Sequence, residues 1–238
     1  MVTPLFPLTI SGGVVKRRGT TLLGPIDLTF EATGLTMVIG PNGSGKTTLL
    51  KSLHGIERLS AGTVTWAAAP EEARARQAYV FQTPTMLRRS VRDNLAYPLR
   101  LIGMDKATIA ARCTLWAERI GLGTALERSA PRLSGGERQK LAVARALIRD
   151  PDVLFLDEPC ANLDGRATFE IEEMLRSALA RGTRIIMTSH STGQMRRLAR
   201  DVIFLLNGQV HEAGPAAALL TTPETPALQA FLNGDIVQ

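Results

Sequence analysis

Three short runs in this chain carry residue types and spacings able to handle phosphate. Gly40, Pro41, Asn42, Gly43, Ser44, Gly45, Lys46 and Thr47 follow the pattern G-x-x-x-x-G-K-[ST], with Thr48 continuing it. Glycines at those steps let backbone amides turn inward around phosphate oxygens, and a helix opening at Lys46 adds positive partial charge. In such a loop Lys46 reaches the β- and γ-phosphates and the Thr47 hydroxyl ligates Mg²⁺. The second run, Val153-Leu154-Phe155-Leu156-Asp157-Glu158, sets two carboxylates where an apolar strand emerges. Alone, the pair reads equally as a solvated strand end. Behind a phosphate loop, Asp157 suits the Mg²⁺ shell and Glu158 suits polarising an attacking water, since phosphoryl transfer depends on positioning and charge more than on covalent chemistry. The third run, Leu133-Ser134-Gly135-Gly136-Glu137, is a glycine-rich turn into a helix, and so a second seat for an anion.

Such residues need rigid elements to hold them. Residues 35–39 form a short apolar run ending in glycine, followed from Lys46 by helical periodicity, which makes a strand, a loop and a helix. Similar strand signals recur at 78–81, 153–156, 185–188 and 202–205, several of them apolar throughout, as strands covered on both faces are. Helical stretches between them, such as 169–179, favour a largely parallel α/β sheet. The segment up to Phe30 alternates instead, with turn signals at Gly12-Gly13 and Gly24-Pro25, and reads as antiparallel strands. Between Val91 and Pro131 the pattern becomes helical, opening after the cap residue Ser90 and continuing at 106–120 up to Gly121. We read this as an insertion, approximately 83–135, within a single domain covering 1–238.

Composition narrows the setting. Of 238 residues, 45% are hydrophobic and 5% aromatic, enough for a sizeable core built mainly of aliphatic side chains. Two cysteines, Cys113 and Cys160, provide no disulfide framework, which fits a reducing cytosol. The N-terminal segment lacks the charged start and apolar core of a signal peptide, and no apolar run approaches the roughly 18 residues that span a bilayer. The net charge of +6 comes from scattered arginines without interleaved aromatics, so nucleic acid is not expected as a partner.

At this point the chain resembles the ATP-binding cassette family of ATPases over nearly its whole length. Leu133-Ser134-Gly135-Gly136-Glu137 resembles the family signature, with glutamate where glutamine is common. Gln82 resembles the Q-loop glutamine, Ala161-Asn162-Leu163-Asp164 the D-loop, and His190 in Thr188-Ser189-His190 the switch histidine. Taken singly, Gln82 is also readable as a polar strand end, Asp164 as a helix cap and His190 as a surface histidine. The resemblance implies a P-loop NTPase (RecA-like) α/β core with an N-terminal antiparallel β subdomain and an inserted α-helical subdomain. It implies ATP and Mg²⁺ as cofactors, Glu158, His190, Lys46 and Gln82 as catalytic, and Thr47, Gln82 and Asp157 about the metal. It also implies a head-to-tail homodimer, with each ATP held by one phosphate loop and by Ser134, Gly135, Gly136 and Glu137 of the other subunit, and with Asp164 at the interface.

Where family members usually stack an aromatic ring on adenine, this chain reads Val15-Lys16-Arg17-Arg18-Gly19, which makes the guanidinium of Arg17 or Arg18 the stacking candidate and leaves GTP use open. Cassettes of this size are mostly transporter subunits, so the resemblance implies membrane permease partners, an extracytoplasmic substrate-binding protein acting through them, and a peripheral place on the cytoplasmic face of the plasma membrane. In residues 83–99, Met86 and Leu87 read as core or as permease contact, and Arg88-Arg89 could meet partner carboxylates. That run is similar to importer ATPases for bacterial oxyanions, the tungstate-uptake type above all. Molybdate, phosphate or amino-acid import, or a soluble accessory role as in iron–sulfur assembly, are the alternatives. No appended regulatory domain is expected, because the chain ends soon after Gly234.

Overall fold

The computed structural model describes residues 3–235. Its strands are β1 (Leu8–Arg17), β2 (Thr20–Phe30), β3 (Leu35–Ile39), β4 (Ala61–Trp66), β5 (Gln77–Val80), β6 (Val153–Leu156), β7 (Arg184–Thr188), β8 (Asp201–Leu206) and β9 (Gln209–Pro215). A mixed sheet in the order β5-β6-β7-β3-β8-β9 is parallel except for β9. A smaller antiparallel sheet runs β2-β1-β4. The fold is α/β, with an antiparallel β subdomain and a helical region.

The apolar strands form the centre of the larger sheet because both of its faces are covered. Successive side chains point to opposite faces. Met37, Leu154, Met187 and Phe204 accordingly join one buried cluster, while Val38, Phe155, Ile186 and Leu205 join another. The second cluster includes Leu8, Ile10, Leu23 and Ile26 of the antiparallel sheet, together with Leu49, Leu50 and Leu53 of α1 (Lys46–His54). Burying such a side chain is worth roughly 1.5–3 kcal/mol, so the phosphate-binding helix is anchored by the core.

The remaining helices are α2 (Pro70–Ala75), α3 (Val91–Leu101), α4 (Lys106–Arg119), α5 (Gly135–Leu147), α6 (Gly165–Ala180), α7 (Thr192–Leu198), α8 (Ala216–Leu219) and α9 (Pro226–Asn233). Ser90 caps α3 by accepting from the Asp93 amide, as its position predicts. The inserted segment closes on itself: the amide of Val91 donates to Arg128 O at 3.0 Å and that of Ala130 to Arg89 O at 2.9 Å.

Two expected turns are corrected by the structure. Gly12-Gly13 and Gly24-Pro25 lie inside β1 and β2, at shifts in strand register. A Cβ on Gly24 would stand 2.0 Å from Gly13 O, so glycine here permits close backbone approach. The hairpin instead turns at Arg18-Gly19, both with positive φ, as a two-residue type I′ turn requires.

Candidate nucleotide site

The phosphate loop bridges β3 and α1. Gly45 adopts φ +100° just before the helix, and Gly43 adopts +83° with open space where a Cβ would project. Lys46 is buried, and its ammonium donates to Gly40 O at 2.8 Å and Pro41 O at 3.0 Å. Burial lowers its pKa, while the nearby carboxylates of Glu158 and Asp157 act in the opposite sense. Asn42, Thr47, Thr48, Gln82 and Glu158 share with Lys46 the lining of a cavity of about 480 Å³.

β6 leads into both carboxylates, Glu158 in the lining of this cavity and Asp157 next to it in the chain. Asp157 is buried, and its Oδ1 accepts from Thr47 Oγ1 at 3.0 Å and from Thr188 Oγ1 at 2.9 Å. Glu158 is held at φ +45°, left-handed backbone that costs a non-glycine residue about 1 kcal/mol or more. Its amide donates to Thr188 Oγ1 at 2.8 Å. Thr188 was not a candidate from the sequence, although it stands beside His190. Fully buried at the end of β7, it binds both members of the Asp-Glu pair.

Around the Glu158 carboxylate, His190 Nδ1 lies 3.3 Å from Oε2, Lys46 Nζ lies 3.9 Å from Oε1, and Gln82 Nε2 donates to Oε2 over 3.5 Å. Thus Lys46, Thr47, Gln82, Asp157, Glu158 and His190 converge. The donor set suits MgATP. Thr47, Asp157 and Gln82 present hard oxygens, with few carboxylates, as Mg²⁺ bound jointly with phosphate prefers. The buried Ser44 hydroxyl finds no hydrogen-bond partner within the protein, which leaves it available to a phosphate oxygen.

Other candidates lie apart from this cavity. Ser134 caps α5 and forms a reciprocal capping box with Glu137: its hydroxyl accepts from the Glu137 amide, and the Glu137 carboxylate accepts from the Ser134 amide at 2.7 Å. Glu137 is therefore engaged by its own turn, and the Ser134 amide holds its carboxyl below the usual range. Gly135 instead lines a second cavity of about 460 Å³ with Gln82, Arg138 and Asn162. Asp164 caps α6 by accepting from the Ala167 amide at 2.7 Å. Arg17 pairs with Glu57 at 3.0 Å on the surface, Arg18 occupies the hairpin turn, and Leu22 of β2 lines the phosphate cavity instead.

In the run after Gln82, Met86 packs against the core, while Leu87 lines a groove of about 400 Å³ with Phe81, Thr85, Tyr97, Pro98 and Arg145. Arg88 and Arg89 are exposed.

A strand–loop–helix phosphate cradle beside a paired Asp-Glu strand end defines a P-loop ATPase. More particularly, the chain belongs to the ABC transporter family, whose model matches residues 23–161. As an ABC ATPase domain it binds ATP and hydrolyses it to ADP and phosphate. It is 39% identical to the tungstate uptake system ATP-binding protein TupC of Peptoclostridium acidaminophilum, over 87% of this chain and 97% of that protein. It is 35% identical to the phosphate import ATP-binding protein PstB 2 of Natronomonas pharaonis, over 92% and 84% of the two chains. With the nickel import ATP-binding protein NikO of Rhodobacter capsulatus it shares 37% identity over 92% of each. The fold superposes on the ATP-binding subunit of an ABC transporter with TM-score 0.83, covering 96% of this chain and 99% of that one at 21% identity. A dimeric ATP-binding cassette bound to ADP and Pi matches with TM-score 0.78 at the same identity, covering 88% and 98%.

Proposed function

We propose that this chain is the ATP-hydrolysing subunit of an ABC importer for tungstate or a related oxyanion, working as a head-to-tail homodimer on a separate membrane permease. The observation that carries the motor is the convergence of Lys46, Gln82 and His190 on the Glu158 carboxylate, with Thr47 bonded to Asp157 beside it, while Gly135 lines a different cavity. A glycine-rich helix N-terminus that does not line its own phosphate cavity suits the γ-phosphate of a second subunit's ATP. Since ATP and ADP differ at that group, ATP joins the two subunits and hydrolysis releases them. Among the described residues no helix is long and apolar enough to cross a membrane. We assign the chain a peripheral place on the cytoplasmic face of the plasma membrane, with cargo recognised by an extracytoplasmic binding protein and the permease.

In the proposed mechanism Lys46 leaves its loop carbonyls for the β- and γ-phosphate oxygens. Thr47, Asp157 and Gln82 would hold Mg²⁺, which would supply charge neutralisation at the phosphate. Glu158 orients the attacking water and receives its proton, with His190 beside it to fix the carboxylate and meet the γ-phosphate. Thr188 keeps Asp157 and Glu158 in register, donating to the first and accepting from the amide of the second. Adenine stacking is assigned to Arg17 or Arg18. The groove beside Gln82 receives a cytoplasmic helix of the permease, and the helical insertion, about 83–135 within one cassette domain, moves with it.

The oxyanion assignment is supported by the 39% identity to a tungstate system along most of both chains. Disrupting the gene and measuring trace uptake of tungstate, molybdate, phosphate and sulfate tests it. Loss of tungstate uptake alone is the expected result, and unchanged uptake of all four overturns the cargo. Co-purification of a polytopic membrane protein tests the permease; recovery of only a soluble complex overturns it.

A further inference from the structure

Behind His190 lies a polar chain that the phosphate chemistry does not use. Glu172, on α6, is only 1% exposed. Its carboxylate accepts from Arg197 Nη2 at 2.6 Å and Nε at 2.8 Å, from Arg176 Nη2 at 3.5 Å and from Gln194 Nε2 at 3.3 Å. The carbonyl oxygen of Gln194 accepts from Ser189 Oγ at 2.8 Å, and Ser189 Oγ accepts in turn from the Ser191 amide at 3.0 Å. Gln194 and Ser189 are themselves buried, at 3% and 5% exposure. The two hydrogen bonds of the Ser189 hydroxyl therefore both span His190 in the chain.

The order of donors follows from the charge at one end. An ionised carboxylate only accepts, so Glu172 obliges Gln194 to present its NH₂ group. That turns the amide carbonyl toward Ser189, whose hydroxyl must donate to it. Its lone pairs then face the Ser191 amide. Reversing any link leaves two acceptors or two donors opposed in a buried site, a conflict that costs about 1–3 kcal/mol. Arg197, paired with Glu172 through two nitrogens, keeps the carboxylate charged and the polarity set.

We propose that Glu172 is a positioning residue for His190, acting through Gln194 and Ser189 to hold the imidazole against Glu158. Asp164 caps α6, so the relay also ties the helix leading from the proposed dimer interface to the catalytic loop. The inference rests on the proposed role of His190.

The test measures steady-state ATPase of the purified full chain, with ATP affinity read separately by fluorescent-nucleotide titration. Glu172→Gln removes the charge at constant size and frees the Gln194 amide to flip. Its kcat falls about tenfold, with KM and ATP affinity within twofold of the parent. Ser189→Ala gives a similar loss, and the Glu172→Gln/Ser189→Ala double variant is no slower than the slower single, because both break one relay. Full kcat in Glu172→Gln, multiplied losses in the double variant, or a raised KM at constant kcat overturns the relay. Where thermal melting shows Glu172→Gln unfolded, Ser189→Ala with Gln194→Met gives the same cycle and the same two readings. A His190→Ala control separates the two levels. Full activity in that control overturns the role of His190; loss there with none in the relay variants overturns the relay alone.

Discussion

Thr47 and Asp157 stand 110 residues apart in the chain, yet the hydroxyl of one donates to the carboxylate of the other at 3.0 Å. The contact crosses from the first turn of α1 to the end of β6, and the buried Thr188 hydroxyl shares the same carboxylate oxygen. Two hydroxyls on one oxygen fix the carboxylate plane before any ligand arrives. The remaining oxygen and the Thr47 lone pairs are left for a cation, a preorganised arrangement that lowers the cost of binding.

Asp157→Asn tests that arrangement. The amide keeps the shape and loses the charge, so the preference for MgATP over metal-free ATP should shrink at least tenfold. Nucleotide titration with Mg²⁺ and with EDTA reads the ratio directly. An unchanged ratio would remove Asp157 from the metal shell.

Glu158→Gln separates binding from chemistry. The carboxylate lies within 4 Å of Lys46 and His190, so its loss removes the proton acceptor and leaves the phosphate cradle in place. ATPase should fall at least a hundredfold, with ATP affinity kept and a dimer appearing in size-exclusion chromatography with ATP. Lys46→Ala should do the reverse, weakening triphosphate binding first. A Glu158→Gln chain that stays monomeric with ATP would remove the two-subunit site.

Arg145 is the cation of the groove. It donates to Asn94 Oδ1 at 3.1 Å and to Thr85 O at 2.8 Å, joining α5 to α3 and to the run after Gln82. Among the described residues it has no carboxylate within 4 Å, and burial lowers its pKa. Lysine cannot make both contacts in a fixed fork. Arg145→Lys should therefore destabilise by about 1.5 kcal/mol, the worth of a charged hydrogen bond, lowering Tm by roughly 3–6 °C at this chain length. Differential scanning calorimetry checks this, and a Tm unchanged within 1 °C would show the contacts to be dispensable.

How far the sequence revealed these features depends on what signals each one. β3 and β6 were legible because every position but Thr36 is apolar, the near-continuous pattern of a doubly covered strand. β4 and β9 were not, since they lie in largely exposed positions and carry no such contrast. Gly24-Pro25 reads locally as a turn, but its glycine answers to the Gly13 backbone, a contact that only tertiary pairing creates. In the site, Lys46, Asp157 and Glu158 announce themselves by motif. Thr188 and Glu172 do not: a threonine in a strand and a glutamate on an amphipathic helix look like structure or solvent. Their roles depend on partners 31 and 22 residues away, respectively.

Glu137 provides the pH-dependent test. Its carboxyl is held below its ordinary 4.5, chiefly by the Ser134 amide, which it helps satisfy at the N-terminus of α5. A depressed folded-state pKa gives stability that is fully present above the unfolded value near 4.5 and is lost as pH falls through the folded one. Glu137→Gln keeps an acceptor oxygen but loses the charge at the positive helix end, about 0.5 kcal/mol for a partly exposed group. At pH 7 the variant should melt about 1–2 °C lower than the parent, and the gap should close as pH drops below about 4.5. ATPase should change little, because the proposed contact with ATP is made by Ser134 and the glycine amides. A gap that persists or widens at low pH would mean that the capping box owes nothing to the glutamate's charge. A large loss of turnover at unchanged Tm would instead place Glu137 in contact with the nucleotide.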